Sequence, residues 1–163
     1  MDRLLGVDLG ERRIGLAIAD GDGSHAVPLT TVRRGRSIEA DVATLARVVA
    51  EQRIGSLVVG LPLEASGADG PQAALTRTWA AAIADALGLP LVLRDERLTS
   101  HLAEERLGPM KRGRSGGPPT RTQREAYRAA VDREAAAIIL QDELDARARV
   151  PYADPRQPPE SNA

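Results

Sequence analysis

The chain has 163 residues, 42% hydrophobic and 28% charged, with a formal net charge of −1 and no cysteine. This length suits one domain with a real core and is too short for a two-domain kinase. Without cysteine there are no disulfides, thiolate zinc sites or cysteine nucleophiles, and His25 and His101 lack metal-ligand spacing, so any metal must sit on oxygen.

The first run, Leu4-Leu5-Gly6-Val7-Asp8, is apolar and ends on a carboxylate, and a second, Arg13 to Ala19, follows the turn-like Gly10-Glu11-Arg12, which predicts a hairpin. A third strand is predicted over Val27 to Val32, after the Gly21-Asp22-Gly23-Ser24 turn. Ser37 suits the N-cap of a helix carrying Ile38, Val42, Leu45 and Val49 on one face. Ser56 to Gly60 reads as a strand buried on both sides. Pro71 opens a helix whose Leu75, Trp79, Ile83 and Leu87 recur every four residues until Gly88. The stripe makes Trp79 a core residue.

A buried strand follows over Pro90 to Leu93, then a short helix capped at Thr99 or Ser100 and reaching about Leu107. A capping box at Thr122 and Glu125 opens a last helix to about Arg147. Three antiparallel strands followed by βα units predict an α/β fold, a mixed sheet with helices on both faces. The domain is expected to span 1–149, with a disordered Pro-rich tail over 150–163.

The near-zero net charge conceals a partition. Between Arg106 and Arg128 stand Arg106, Lys111, Arg112, Arg114, Arg121, Arg124 and Arg128 against Glu125 alone, a balance of +6, leaving −7 elsewhere. Gly and Pro break this stretch, so a mobile basic loop is expected over about 106–122. Only Trp79, Tyr127 and Tyr152 are aromatic, which argues against modules that stack successive bases. No apolar run could span a membrane, and Asp2 and Arg3 stand where a signal peptide would begin. A cytoplasmic protein without a membrane partner is expected.

Three carboxylates stand out. Asp8 closes the first strand, where ligands collect in open α/β sheets. Taken alone it could equally be a turn-forming residue. Asp95-Glu96 closes the last strand, and because neighbours on a strand point to opposite faces, one of the two is expected to share the face of Asp8. As a pair they could also be an ordinary surface ion-pair cluster. Asp132 borders the apolar stripe of the last helix, and a pairing with Arg128 one turn earlier is the plain structural alternative. Converging, the three would carry about −3 charge, which two Mg²⁺ ions roughly 4 Å apart would offset while hydrolysing a phosphodiester. A basic loop beside such a pocket suits a polyanionic substrate.

These residues fall into a recognisable pattern. Gly6-Val7-Asp8-Leu9-Gly10 with Arg13 to Ala17 and Asp20, Val58 to Leu63 with Gly67 and Gly70-Pro71, Asp95-Glu96-Arg97-Leu98-Thr99-Ser100, and Val131-Asp132 with Ala135-Ala136 and Ile138 to Gln141 together resemble the YqgF (RuvX) family over residues 4 to about 144. The resemblance implies a ribonuclease H-like fold, kinship with Holliday-junction resolvases of the RuvC kind, and a nuclease that matures the 5′ end of precursor 16S rRNA. It places the family's acidic positions, catalytic and metal-holding, on Asp8, Glu96 and Asp132, with Asp95 as the alternative to Glu96. Residues 108–127 form a longer, more Gly- and Pro-rich segment than the family pattern.

The expected cofactor is Mg²⁺ or Mn²⁺, as two ions. The expected partner is nucleic acid, precursor rRNA or branched DNA, bound by Arg97, Lys111, Arg112, Arg114, Arg121 and Arg124, with the chain a monomer or homodimer. Arg97 could instead pair with Glu104 or Glu105. Gly60-Leu61-Pro62 with Gly67 and Gly70 would bend a loop near the pocket. Three other readings compete: a junction resolvase, a non-catalytic rRNA-binding assembly factor, and an ATP-binding domain of the actin and sugar-kinase type. Length and the lack of an internal repeat count against the last.

Overall fold

In the computed structural model, which describes residues 2–23, 25–97, 99–113 and 115–149, alternation along the strands decides how each side of one sheet is filled. The strands are β1 (Arg3–Leu9), β2 (Arg13–Ala19), β3 (Val27–Arg33), β4 (Ile54–Leu61) and β5 (Leu91–Asp95), ordered β3-β2-β1-β4-β5. β1, β2 and β3 pair antiparallel, whereas β4 lies parallel to β1, and β5 to β4. The helices are α1 (Ile38–Gln52), α2 (Pro71–Leu87), α3 (Thr99–Leu107) and α4 (Arg121–Arg149). This is the mixed α/β sheet expected from the element order.

One face turns Leu5, Val7, Leu16, Leu57 and Val59 toward Leu45 of α1 and Trp79 and Ile83 of α2, all fully or nearly fully buried. The other turns Leu4, Ala17 and Val58 toward Ala136, Ile139 and Leu140 of α4, and α3 packs on α4 through Ala103. Each buried Leu, Ile or Val contributes about 1.5–3 kcal/mol by leaving water.

Local signals set most of the element ends. The Ser37 hydroxyl accepts the Ala40 N–H at 3.2 Å to cap α1. Pro71 occupies the first turn of α2, and Gly88 ends it at φ 65°, donating its N–H to the Ala84 and Asp85 carbonyls. The buried Asp41 carboxylate accepts the Gly35 N–H at 2.7 Å and the Trp79 indole N–H at 3.0 Å, so a charged group in the core is satisfied. That bond joins α1 to α2.

Two expectations require correction. Leu75 is 63% exposed and Ile38 37% exposed; the buried stripe of α2 runs instead through Ala73, Thr76, Trp79, Ala80 and Ile83, a rotation that small residues permit because they let the helix lie close to the sheet. The capping box of α4 is Thr120 with Gln123: the Gln123 N–H reaches the Thr120 hydroxyl at 3.1 Å and the Thr120 N–H reaches the Gln123 amide oxygen at 2.8 Å. Thr122 and Glu125 lie within the first turns. The basic segment forms the connection between α3 and α4 and carries hydrogen bonds of its own. The Tyr127 hydroxyl donates to the Gly108 carbonyl at 2.8 Å, the Gln123 amide to the Arg112 carbonyl at 3.0 Å, and Gly113 and Gly117 close a turn at 3.1 Å. The expected tail, 150–163, lies outside the described residues.

Candidate active site

α4 crosses the sheet obliquely, meeting one strand after another. The Ala129 carbonyl accepts the Thr31 hydroxyl of β3 at 2.6 Å, the Asp132 backbone lies on Gly15 of β2, Ala136 on Gly6 of β1 and Ile139 on Gly60 of β4. The spacing 129, 132, 136, 139 follows one helix face, and the strands are met in sheet order. A methyl group at Gly15 would overlap the Asp132 carbonyl, so only glycine lets the helix backbone come this close.

This approach assembles the carboxylates. Asp8 points to the α4 face, two residues beyond Gly6, with Gly15 as its cross-strand partner. On the other side β4 runs parallel, with Val7 opposite Val59, so Gly60 lies next along. Asp8 thus stands between two positions without side chains. Asp132 fills the space over Gly15, and the Glu96 carboxyl fills the space over Gly60, where its Oε2 would be 2.5 Å from an added Cβ. The Glu96 N–H donates to the Leu61 carbonyl at 3.1 Å and holds this turn against β4. Alternation selects Glu96 over Asp95.

Asp8 and Glu96 share a hydrogen bond, and both titrate above the usual carboxylate range. Burial is the main cause for each; the Asp8 charge and the shared bond add to it for Glu96, which is pushed up to about 9. Asp8 is raised to about 6, burial and the Asp132 charge outweighing the bond from Glu96. The pair keeps one proton near neutrality because two adjacent, enclosed carboxylates resist full ionisation.

Asp132 is neutralised differently. Its carboxylate accepts the Arg13 guanidinium at 2.7 Å, with the two side chains 20% and 30% exposed, so its partner is Arg13 and not Arg128. The donor set is all oxygen, as a hard divalent cation requires, and the proton held by Asp8 and Glu96 occupies a place that a cation could take. Those two fit such an ion. Among the described residues, however, no group of three His, Cys, Asp or Glu is arranged to hold a metal, and Asp132 is engaged by Arg13.

Asp95 lies outside the cluster. It accepts the Arg97 backbone N–H at 3.0 Å and guanidinium at 2.8 Å, and this pairing holds its carboxyl below the usual range. Arg97 also donates to the Ala65 carbonyl at 3.2 Å, so it fastens the 62–70 loop to the end of β5 and does not reach Glu104 or Glu105. Gly67, at φ 85°, makes the bend that loop needs.

The basic segment turns partly onto itself. Arg112 donates to the Gly116 carbonyl at 3.3 Å and Arg124 to the Pro119 carbonyl at 2.7 Å, while Arg121 pairs with Glu125 at 3.1 Å. Lys111 borders an apolar hollow with Leu107, Pro109 and Tyr127. Arg114 lies outside the described residues.

Arg13 was missed by sequence reasoning, as were Arg12, Arg33 and Arg34. The signal was available: antiparallel β2 and β3 begin and end on arginine doublets, and the register sets Arg13 opposite Arg33.

Comparison with known proteins bears on the family and the fold. Relatives from Chloroflexus aggregans, 44% identical over 88% of this chain and 94% of their own, and Anaeromyxobacter dehalogenans, 48% identical over 90% and 98%, bear the provisional name pre-16S rRNA nuclease. Among solved structures, RuvC of T. thermophilus in complex with a Holliday junction substrate superposes with a TM-score of 0.52 over 91% of this chain and 97% of that one, at 16% identity, a likeness of fold. The strand order, the crossing helix and a family model described as Holliday junction resolvase, matching residues 2–146, lead to one conclusion: the chain belongs to the RuvX family.

Proposed function

We propose that this protein is a divalent-metal-dependent nuclease that hydrolyses phosphodiesters of structured RNA, with precursor 16S rRNA, the RNA in its relatives' name, as its substrate and maturation of the 5′ end as its task. The observation that carries this reading is the proton-sharing pair Asp8 and Glu96 beside Asp132. Asp8 hydrogen-bonds Glu96 and lies within electrostatic reach of Asp132, in a fold shared with junction-bound RuvC, at the ends of strands where substrates bind.

Asp8 and Glu96 would hold Mg²⁺ or Mn²⁺, with Asp132 joining once Arg13 lets go. The ion would supply activation of water and neutralisation of charge on the leaving oxygen. Asp8 orients the attacking water through its carboxylate, and its enclosure between β2 and β4 limits competing solvent. Glu96, fixed by its backbone bond to Leu61, keeps the second carboxylate aimed at the same point. Arg13, if released from Asp132, has its guanidinium free to donate to a phosphate oxygen. In the overall step the water oxygen bonds to phosphorus as a bridging P–O bond breaks. The water proton leaves to a carboxylate, and the departing oxygen is protonated from solvent.

A resolvase acting on branched DNA is the second reading, favoured by the family description. It requires a dimer with two sites facing two strands. The test compares cleavage of a 5′-extended 16S precursor and of a four-way DNA junction, with Mg²⁺, by wild type and Asp8→Asn, alongside the mass in solution. The expected result is trimming of the precursor by wild type and loss of several orders of magnitude in rate for Asp8→Asn. Equal cutting by Asp8→Asn overturns the site. Salt-sensitive RNA binding without metal-dependent cleavage would make the protein an assembly factor instead.

A further inference from the structure

Beside the carboxylates lies a second feature, assembled from three segments remote in sequence. The turn before β2, the end of β3 and the first turns of α4 enclose a hollow of about 600 Å³ lined by Arg12, Arg13, Arg33, Arg34, Arg121 and Arg128. The only acids in its lining are Glu11 and Glu125. An adjoining hollow of about 440 Å³ shares Arg12, Arg13 and Arg128 and ends on Asp132. The arginine-lined groove thus reaches Asp132 of the candidate active site.

Its walls are fixed by backbone. The Arg34 N–H donates to the Arg12 carbonyl at 2.9 Å, its guanidinium donates to the Gly10 carbonyl at 3.1 Å, and the Thr31 bond to Ala129 holds α4 over β3. Three of the six cations are already engaged: Arg13 by Asp132, Arg121 by Glu125 and Arg34 by Gly10. Among the described residues, Arg12, Arg33 and Arg128 have no carboxylate within ion-pair distance. Like charges gathered on rigid elements repel one another, and a polyanion relieves that repulsion. Planar guanidinium forks match phosphate oxygens, and strand ends offer no apolar anchor for a peptide.

We propose that this groove binds the phosphate backbone of the nucleic acid flanking the bond to be cut, gripping the substrate from the β2–β3 edge. The proposal rests on the nucleic-acid reading above but not on catalysis. It moves the main electropositive contact from the 108–120 loop to the strand ends beside Asp132.

The test measures equilibrium binding of a fluorescein-labelled RNA hairpin with single-stranded flanks, in EDTA so that nothing is cut, over a series of salt concentrations. The variants are the combined Arg12→Gln, Arg33→Gln and Arg128→Gln, each single change, and Arg47→Gln on exposed α1 as control. Each lost phosphate contact makes the log–log salt slope shallower by about 0.7–0.9, so the combined variant should lose about 2–3 from the slope and bind roughly ten- to a hundred-fold more weakly. Each single change should remove about one third of the slope effect, which keeps the test valid should the combined variant not fold. Affinity and slope matching wild type or Arg47→Gln overturn the proposal, as does a wild type that binds no RNA. A wild type that binds through these arginines but never cleaves refutes the nuclease reading alone. A wild type that cleaves while the variants bind normally refutes the groove alone.

Discussion

On the α1 and α2 side of the sheet, the strands present Leu5, Val7, Leu16 and Val59, and the helices answer with Leu45, Trp79 and Ile83. On the α4 side the corresponding positions are Gly6, Gly15 and Gly60 with a few aliphatics, and the helix lies directly on the strands. The first side keeps layers apart with side chains and excludes water. The second removes side chains so that a helix can carry Asp132 alongside Asp8 and leave room for Glu96. Stability and chemistry are therefore divided between two faces of one sheet.

Truncation on the packed face should show the largest loss of stability. Leu16→Ala is expected to cost about 2–5 kcal/mol in urea unfolding, with the folded fraction retaining its turnover. Enlargement on the other face breaks the comparison from the opposite direction. Gly15→Ala forces the Asp132 backbone away and should cost about 1–3 kcal/mol or more while lowering activity of the molecules that fold. Gly60→Ala sharpens it further. Its added methyl meets the ends of the Ile139 and Glu96 side chains, which can move, so the unfolding midpoint should change much less than the rate of cleavage.

The carboxylate face also carries a pH signature that the apolar face lacks. Folding raises the titration of Asp8 and Glu96, to about 6 and about 9, so the folded state keeps protons that the unfolded chain releases in the ordinary carboxylate range. Stability from this source is complete below the unfolded range and declines as pH rises through 6 toward 9. A melting-temperature series without metal should fall over that window. Glu96→Gln or added Mg²⁺ should flatten it, and an unchanged profile would show that the pair does not share a proton. The smallest effect is expected away from both faces: Thr120→Ala removes one cap of α4 and should cost about 1 kcal/mol, read from the unfolding midpoint.

The elements and the candidate acids were legible because their signals are local. Period-two alternation, Ser37 as a cap, Pro71 and Gly88 at the ends of α2 and carboxylates closing strands all act within a few residues. Leu75 misled because a four-residue repeat marks a face without saying whether anything lies against it. The Thr122 and Glu125 box misled because Thr120 and Gln123 offer the same chemistry two residues earlier, and the choice depends on where the preceding loop arrives.

By itself the sequence determined the mixed sheet, the order of its elements and Asp8, the Asp95-Glu96 pair and Asp132 as the residues to examine, since strand ends and helix stripes are written in residue periodicity. Tertiary structure alone decided that Glu96 and not Asp95 meets Asp8, that Arg13 holds Asp132, and that arginines from 12–13, 33–34 and 121–128 line one groove. Those outcomes depend on strand pairing, on glycine contacts with a crossing helix and on burial. Residues far apart in the chain acquire such relations only when the sheet closes.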